Sequence, residues 1–360
     1  MALKVVHIVE ALEGGVYTYF RDLSNFFGDE EISKSLKTTI IYSSNRKGIS
    51  SQKVNTEFSN SVNLIEISMT REISPFQDLK SIFKLRKELK KINPDVIHLH
   101  SSKAGVLGRI AFFSLFKKKK LFYTPHGYAF LRTDISKVAK KLYLTIEKTF
   151  QRFFGGTIVA CGDTEFEIAK TIGKSKLVRN GVNIIDIYQY FLPHQNKKFT
   201  IGIVGRITFA RNPKLFNEIA LQFPNFNFKW IGDGELSHLL TSPNIQITGW
   251  FFDQKKVLKE LNNIDVYLQT SLWEGLPIAI LEAMALQKPV IASNIIGNKD
   301  IVLHNKTGFL FDDINELGNY FEILKEKDTR VVFGKNALAR CQELFDKNKN
   351  FKQLLNLYQE

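Results

Sequence analysis

Two glutamates eight positions apart, Glu274 and Glu282, stand in the segment Trp273-Glu274-Gly275-Leu276-Pro277-Ile278-Ala279-Ile280-Leu281-Glu282-Ala283-Met284-Ala285. The segment follows an apolar run that reads as a strand. It turns into a helix at Gly275-Leu276-Pro277, where proline suits the first turn because its missing N–H is one the helix leaves unbonded anyway. Free amides at such an N-terminus bind phosphate. From Pro277 to Leu286 the helix is apolar except for Glu282, and a buried carboxylate is expensive unless it accepts hydrogen bonds. A ribose diol supplies two donors; a buried base is the other way to satisfy it. Glu274, just outside the helix, is placed to accept hydroxyls from a bound sugar or to cap the turn.

Other chemistries find no support. A dinucleotide fingerprint needs G-x-G-x-x-G, and the chain offers only Gly14-Gly15 and Gly232-Asp233-Gly234 at strand-to-helix turns. Gly173-Lys174-Ser175 has the end of a phosphate-binding loop, but its first glycine would fall on Ile168. His98 and His100 alternate on one strand without a Cys or carboxylate cluster at ligand spacing, so neither a metal nor another cofactor is expected. Cys161 and Cys341 are the only cysteines of the 360 residues, too few for a disulfide framework.

The elements that must position these residues alternate in both halves. Lys4–Glu10, Thr38–Tyr42, Val62–Ile67, Asp95–His100, Leu121–Pro125 and Thr157–Cys161 read as strands with helices between most of them. Phe199–Gly205, Phe226–Ile231, Ile245–Gly249, Asp265–Gln269 and Pro289–Ser293 repeat the pattern. This is α/β grammar: two doubly wound Rossmann-like domains facing one cleft, with parallel sheets covered on both sides. The expected division is an N-terminal domain over 1–180, a linker over 181–198 around Pro193, a C-terminal domain over 199–344 and a final helix over 345–360 packing back toward the first domain. Ligands of such sheets bind beyond the carboxyl ends of strands, so residues just after strands carry the expectation of chemistry.

These residues resemble glycosyltransferase family 4 of the GT-B fold, whose mark is two glutamates separated by seven residues around an E-G-[LF]-[PG] turn. The resemblance runs through the chain: Gly14-Gly15, Thr124-Pro125-His126-Gly127, Asn180-Gly181-Val182-Asn183, Val204-Gly205-Arg206 and Ile231-Gly232-Asp233-Gly234-Glu235 occur in the family's order. Asp95–Ile110 looks like enzymes that assemble bacterial capsule, O-antigen or related surface polysaccharides. The resemblance implies a metal-independent retaining transfer of a hexose or N-acetylhexosamine from a nucleotide sugar, a UDP-sugar being favoured, to a lipid-linked saccharide. It further implies that the second domain holds the nucleotide through Glu274, Gly275, Leu276, Pro277 and Glu282. Departure of a diphosphate needs fixed cations, and Arg206 and Arg211 fit that need, although the family more often has lysine at position 211. His126 reaches the transferred sugar in the family. Gly14 and Gly15 let backbone approach the acceptor or the diphosphate, Gly15 being assigned to the donor side. Ser101, Ser102, Lys103 and Arg109, after the strand with His98 and His100, are expected along an acceptor wall. A nucleotide-sugar epimerase or phosphorylase of the same fold is the nearest alternative; Trp273–Pro277 and the Thr124–Gly127 segment favour the transferase.

The charge is lopsided. Residues 1–200 hold 32 Lys+Arg against 18 Asp+Glu, whereas residues 201–360 hold 18 of each, so the whole net +14 sits in the first part. One half is therefore suited to an anionic surface. Along Lys137–Phe154, at about 100° per residue, Lys137, Lys140, Lys141, Lys148 and Arg152 share an arc of about 120° together with Leu144. Val138, Leu142, Ile146, Phe150 and Phe153 form an apolar stripe expected to face the core. Lys80, Lys84, Lys87 and Lys91 repeat at helical spacing, and Lys117, Lys118, Lys119 and Lys120 follow a run of phenylalanines. These faces are expected to dock on the anionic inner leaflet, in keeping with a cytoplasmic, membrane-peripheral chain that shows no spanning segment and no signal peptide. A nucleic acid would meet the same charge, but no nucleic-acid-binding motif supports that partner.

Overall fold

The computed structural model describes the chain except for residues 1, 11, 46–48, 71, 114–118, 194–197 and 252. It separates into two compact units, Met1–Arg179 with Asn350–Glu360, and Asn180–Lys349. The segment expected as a linker thus belongs to the second unit: its short helix Ile184–Tyr188 buries Ile184 and Ile187. Asn183, whose side chain accepts from Asp186 N–H, starts that helix, so the beginning of the stretch that reads as a connection is a capped turn; residues 194–197 of it lie outside the described residues.

The first unit is a seven-stranded parallel sheet of β1 (Leu3–Val9), β2 (Leu36–Tyr42), β3 (Asn63–Glu66), β4 (Val96–His100), β5 (Lys120–Thr124), β6 (Thr157–Ala160) and β7 (Ser175–Leu177), in the order β3-β2-β1-β4-β5-β6-β7. The second is a six-stranded parallel sheet of β8 (Thr200–Val204), β9 (Asn227–Ile231), β10 (Ile245–Ile247), β11 (Val266–Gln269), β12 (Val290–Ser293) and β13 (Gly308–Phe311), in the order β10-β9-β8-β11-β12-β13. Every expected strand is present. The two that sequence reading misses, β7 and β13, are three and four residues long, too short for a period to register.

Each sheet reverses its direction of growth once, between β1 and β4 in the first unit and between β8 and β11 in the second. At such a reversal the following helices leave to opposite faces and open a crevice at the carboxyl ends. The residues that follow β1, β4 and β8, β11 are Gly14, Ser101, Arg206 and the Ser271–Glu274 turn. The fold therefore puts the candidate residues where a ligand can reach them.

The side chains of β1 and β4 alternate between two apolar layers. Val5 and Val9 join the helix Gly14–Phe27 and the C-terminal helix Lys347–Gln359, whose Phe351, Leu354 and Tyr358 lie in that core. Val6 and Ile8 join Leu85 and Leu89 of the helix Pro75–Ile92 and Ala104 and Leu107 of the helix Ser102–Phe112 on the other side. In the second unit the fully buried Trp230 packs edge-on against Phe216.

The helix Lys137–Phe154 departs from expectation. Val138, Leu142 and Phe153 are 79%, 52% and 73% exposed, while Glu147 and Gln151 are buried. Polar demand overrides the apolar stripe here. Arg109 is buried beneath this helix, and its Nη2 donates to Gln151 Oε1 at 3.0 Å. Glu147 Oε1 accepts from Ser102 Oγ at 2.9 Å and from Tyr123 O–H at 2.8 Å. A buried guanidinium without such partners costs several kcal/mol, more than the roughly 2 kcal/mol gained by burying one leucine. Lys140 and Leu144 are half-buried on the docked side; Lys137, Lys141, Lys148 and Arg152 are exposed beside the outward apolar stripe.

Candidate active site

In the second unit the loops after β8 and β11 are tied together. Leu272 N–H donates to Ala210 C=O at 2.8 Å, and Thr270 Oγ1 donates to Arg211 C=O at 2.8 Å. This brings the Arg211 guanidinium to Glu274, with Nη1 3.1 Å from Oε1. The same oxygen accepts from Ser271 Oγ at 2.8 Å and Gln269 Nε2 at 2.9 Å. Gln269 is held in turn by Tyr267, whose hydroxyl donates to its Oε1 at 3.0 Å. All these contacts fall on Oε1, and among the described residues no hydrogen bond reaches Oε2. Glu274 Oε1 thus stands against one cation and two neutral donors, with the other oxygen left to accept from a ligand. Arg206, directly after β8, is exposed.

Glu282 lies on the helix Ile278–Ala285, all of whose residues are buried. Its Oε1 accepts from Gln254 Nε2 at 2.8 Å, so an amide from a neighbouring helix partly satisfies the carboxylate. Pro277 is the N-cap, with extended backbone, rather than a residue of the first turn. Gly275 and Leu276 complete the turn, and Gly297 closes it from the next loop. Gly297 has φ +86°, and a Cβ there would come 2.3 Å from Gly275 O and 3.2 Å from Glu274 Cβ. Gln254, Gln269, Ser271 and Gly297 escape sequence reading because amides, hydroxyls and lone glycines carry no spacing signal.

In the first unit His126 follows β5 with φ +54° and precedes Gly127 with φ +96°. Left-handed backbone at a histidine is uncommon and marks a constrained site. Glu165, itself buried, clamps the loop: its Oε2 accepts from Gly127 N–H at 2.7 Å and its Oε1 from Cys161 N–H at 2.9 Å. Behind His126 lies a file of rings. His126 Nε2 is 3.0 Å from His100 Nδ1, and His100 Nε2 is 3.0 Å from His7 Nδ1. His98 stands beside His100, with Nδ1 2.5 Å from the Tyr358 hydroxyl and Nε2 2.8 Å from Thr124 Oγ1. Burial pushes His7 down to about 3 and His126 to about 4, and holds His98 and His100 well below the ordinary 6.5. His7, His98 and His100 have ring nitrogens within 4.8 Å of one another, but those of His98 and His100 are engaged in hydrogen bonds. His7 joins this file from a strand ninety positions away, which no local pattern reveals.

The residues expected along an acceptor wall are mostly engaged within the first unit. Arg109 is 2% exposed and held by Gln151 and Gly105 C=O, so it supports the helix above it instead of lining a surface. Lys103 Nζ is paired with Asp78 at 2.6 Å, and Ser102 donates to Glu147. Ser101, with φ +75°, buries its Oγ without a partner. Gly14, at φ +55°, and Gly15 are exposed at the start of a helix, and a Cβ on Gly14 would meet nothing within 4 Å. Gly14 is therefore required by its backbone angle rather than by a crowded neighbour. Lys119 pairs with Asp95 at 3.2 Å and Lys120 donates to Tyr358 C=O at 2.9 Å, which removes both from the free basic surface; Lys117 and Lys118 lie outside the described residues.

Comparison with known proteins identifies the family and the fold. Residues 14–185 match the family model described as Glycosyltransferase Family 4, and residues 186–340 the one described as Glycosyl transferases group 1. The chain is 32% identical over 323 residues to the Escherichia coli UDP-Gal:alpha-D-GlcNAc-diphosphoundecaprenol alpha-1,3-galactosyltransferase, covering 81% of this chain and 82% of that one. It is 25% identical over 327 residues to the Staphylococcus aureus capsular polysaccharide biosynthesis glycosyltransferase CapM, covering 81% and 83%. The fold matches that of sucrose-phosphate synthase from Thermosynechococcus elongatus with a TM-score of 0.80 at 18% identity, over 99% of this chain and 98% of that one. With Glu274 and Glu282 on the turn and helix after β11, and full-length similarity of this degree, the chain belongs to glycosyltransferase family 4 and has the GT-B fold.

Proposed function

We propose that this glycosyltransferase moves a hexose or N-acetylhexosamine from a UDP-sugar to a lipid-diphosphate-linked saccharide in surface polysaccharide synthesis, with retention of anomeric configuration and without a metal. The observation that carries the reading is Glu274, fixed through Oε1 by Arg211, Ser271 and Gln269 with Oε2 left over. The name of the Escherichia coli relative, which gives both a UDP-sugar donor and a diphosphoundecaprenol-linked acceptor, supports the choice of substrates.

In this reading Glu282 accepts from the ribose and Glu274 from the sugar. Arg206 and Arg211 take the charge that gathers on the diphosphate as the bond from the anomeric carbon to phosphate oxygen breaks. The acceptor oxygen attacks from the face the leaving group vacates, and its proton passes to a phosphate oxygen. Among the described residues of the first unit no carboxylate is identifiable as a nucleophile, which favours this front-face course over a covalent intermediate. His126 hydrogen-bonds the transferred sugar. Gly14 and Gly15 leave backbone open at a helix start.

The first unit also supplies a surface for the bilayer that presents the acceptor. Phe76, Leu79 and Phe83 of the helix Pro75–Ile92 are 90%, 53% and 64% exposed beside Lys80, Lys84 and Lys87, and the outward stripe of Lys137–Phe154 adds Val138, Leu142 and Phe153 beside Lys137, Lys141, Lys148 and Arg152. Apolar side chains flanked by cations suit an anionic lipid interface. Among the described residues no helix is long and apolar enough to cross a membrane. A mass-spectrometric assay with a panel of UDP-, GDP-, ADP- and CMP-sugars and a GlcNAc-diphosphate-lipid acceptor tests the chemistry. The expected product is the acceptor plus one sugar from a UDP donor alone. Conversion of free UDP-sugar without acceptor would identify an epimerase instead.

A further inference from the structure

We infer that His7 and His100 are positioning residues that fix the tautomer of His126, so that His126 meets its ligand as an Nδ1–H donor. The functional consequence rests on the reading that His126 touches the transferred sugar; the tautomer itself does not.

His7, His100 and His126 are held neutral by burial, so each ring carries one proton. Two N···N contacts of 3.0 Å join them, His7 Nδ1 to His100 Nε2 and His100 Nδ1 to His126 Nε2, and each needs one proton between its nitrogens. Because His100 has a single proton, the two bonds must run the same way. Three protons fill two bonds and leave one for a terminal nitrogen, His7 Nε2 or His126 Nδ1.

The surroundings separate the two ends. His7 Nε2 is buried without a hydrogen-bond partner, on a ring 0% exposed and packed against the rings of Phe20, Phe27 and Tyr358. A buried N–H with no acceptor is among the rarest features of folded proteins, rarer than an acceptor without a donor. His126 is only partly buried. The third proton therefore rests on His126 Nδ1, and the bonds run from His7 to His100 to His126. His98 stands outside the count, since its two nitrogens face Tyr358 and Thr124.

This polarity limits what His126 does in the transfer. Its Nδ1 already bears a proton and its ring resists a second, so it donates to a sugar or phosphate oxygen and takes no proton from the acceptor. The file behind it ends at an enclosed nitrogen and offers the proton no exit.

The test is the two-bond 1H–15N correlation spectrum of the whole protein labelled with 15N-histidine, at pH 7.5 and without ligand. Expected for His126 is a protonated Nδ1 and a bare Nε2; a protonated Nε2 overturns the inference, with no variant required. In His100→Phe the constraint is gone and His126 is expected to return to the Nε2–H form that free imidazole side chains favour, with kcat falling about tenfold and the donor KM little changed. An unmoved His126 tautomer in His100→Phe also overturns it, and should that variant not fold, the wild-type spectrum decides. A protein that shows the expected spectrum yet transfers no sugar would sink the functional reading and leave the tautomer standing.

Discussion

The Arg211 guanidinium stands 3.1 Å from Oε1 of Glu274, the oxygen that also takes the hydroxyl of Ser271 and the amide of Gln269. A cation proposed for the diphosphate is thus held by the carboxylate proposed for the sugar, and each keeps the other in place before a ligand arrives. Arg211→Ala removes both the phosphate charge and the clamp, so kcat should fall by about 10²–10³-fold, the usual cost of one transition-state donor. Arg211→Lys keeps the charge without the planar fork and should recover only part of that loss. Steady-state kinetics with the UDP donor checks both, and equal rates for Arg211→Ala and wild type would remove Arg211 from the mechanism.

Glu282→Ala should abolish the melting-temperature rise caused by nucleotide sugar while changing the unliganded Tm by only a few degrees. The carboxylate is buried and bonded to Gln254, so its removal leaves that amide unpaired at a cost of about 1–3 kcal/mol. A thermal-shift titration separates the two effects, because ligand raises Tm only by binding the native state. A full donor-induced shift in the variant would place the ribose elsewhere.

Much of this was legible in the residues. Parallel sheets betray themselves by largely apolar strands such as Val5–Val9 and Thr200–Val204, and a lone glutamate on the apolar helix Ile278–Ala285 announces a partner. Side-chain orientation on Lys137–Phe154 was not legible, because a helical wheel ranks faces by hydrophobicity while the decisive demand came from Arg109, buried on another helix. The histidine file is hidden for a similar reason: His7, His98 and His100 meet only through the pairing of β1 with β4, whose register sets His7 opposite His98. Pairing of distant strands leaves no trace in a local window.

Acid should destabilise the first unit once the pH falls below the ordinary histidine value of about 6.5. His7, His98 and His100 have folded values far below the ordinary 6.5, so they are neutral when folded and gain protons on unfolding. Their contribution is full above pH 6.5 and is lost as pH falls toward the folded values. At pH 5.5 each ring forfeits about 1.4 kcal/mol, roughly 4 kcal/mol for the three. Urea midpoints at pH 8, 6.5 and 5.5 should drop steeply over the last step, and His7→Phe should flatten the slope by about one proton. A midpoint constant from pH 8 to 5.5 is incompatible with neutral buried rings.

Gly297→Ala tests the packing that seats Glu274. The new methyl would fall 2.3 Å from Gly275 O on a backbone with φ +86°, so the turn before the helix Ile278–Ala285 must shift. Strain of this kind costs about 1–3 kcal/mol, or a Tm lower by a few degrees in a domain of this size. Activity should fall more than stability, because the displaced segment carries Glu274. A variant with lowered Tm but unchanged kcat would show that the turn tolerates movement.

Membrane docking makes opposed predictions for the two kinds of residue on the helix Pro75–Ile92. Lys80→Glu with Lys84→Glu reverses two exposed charges, each worth about 1 kcal/mol near an anionic leaflet, so flotation with phosphatidylglycerol vesicles should weaken by more than tenfold at low salt. Phe76→Ser with Phe83→Ser leaves that attraction in place but removes the apolar anchor, so binding should persist at low salt and vanish at moderate salt, where wild type is still retained. Neither pair touches the residues assigned to the donor, so transfer to a detergent-solubilised acceptor should continue in both. Equal recovery of the wild type with neutral and anionic vesicles would show that the basic face serves something other than lipid.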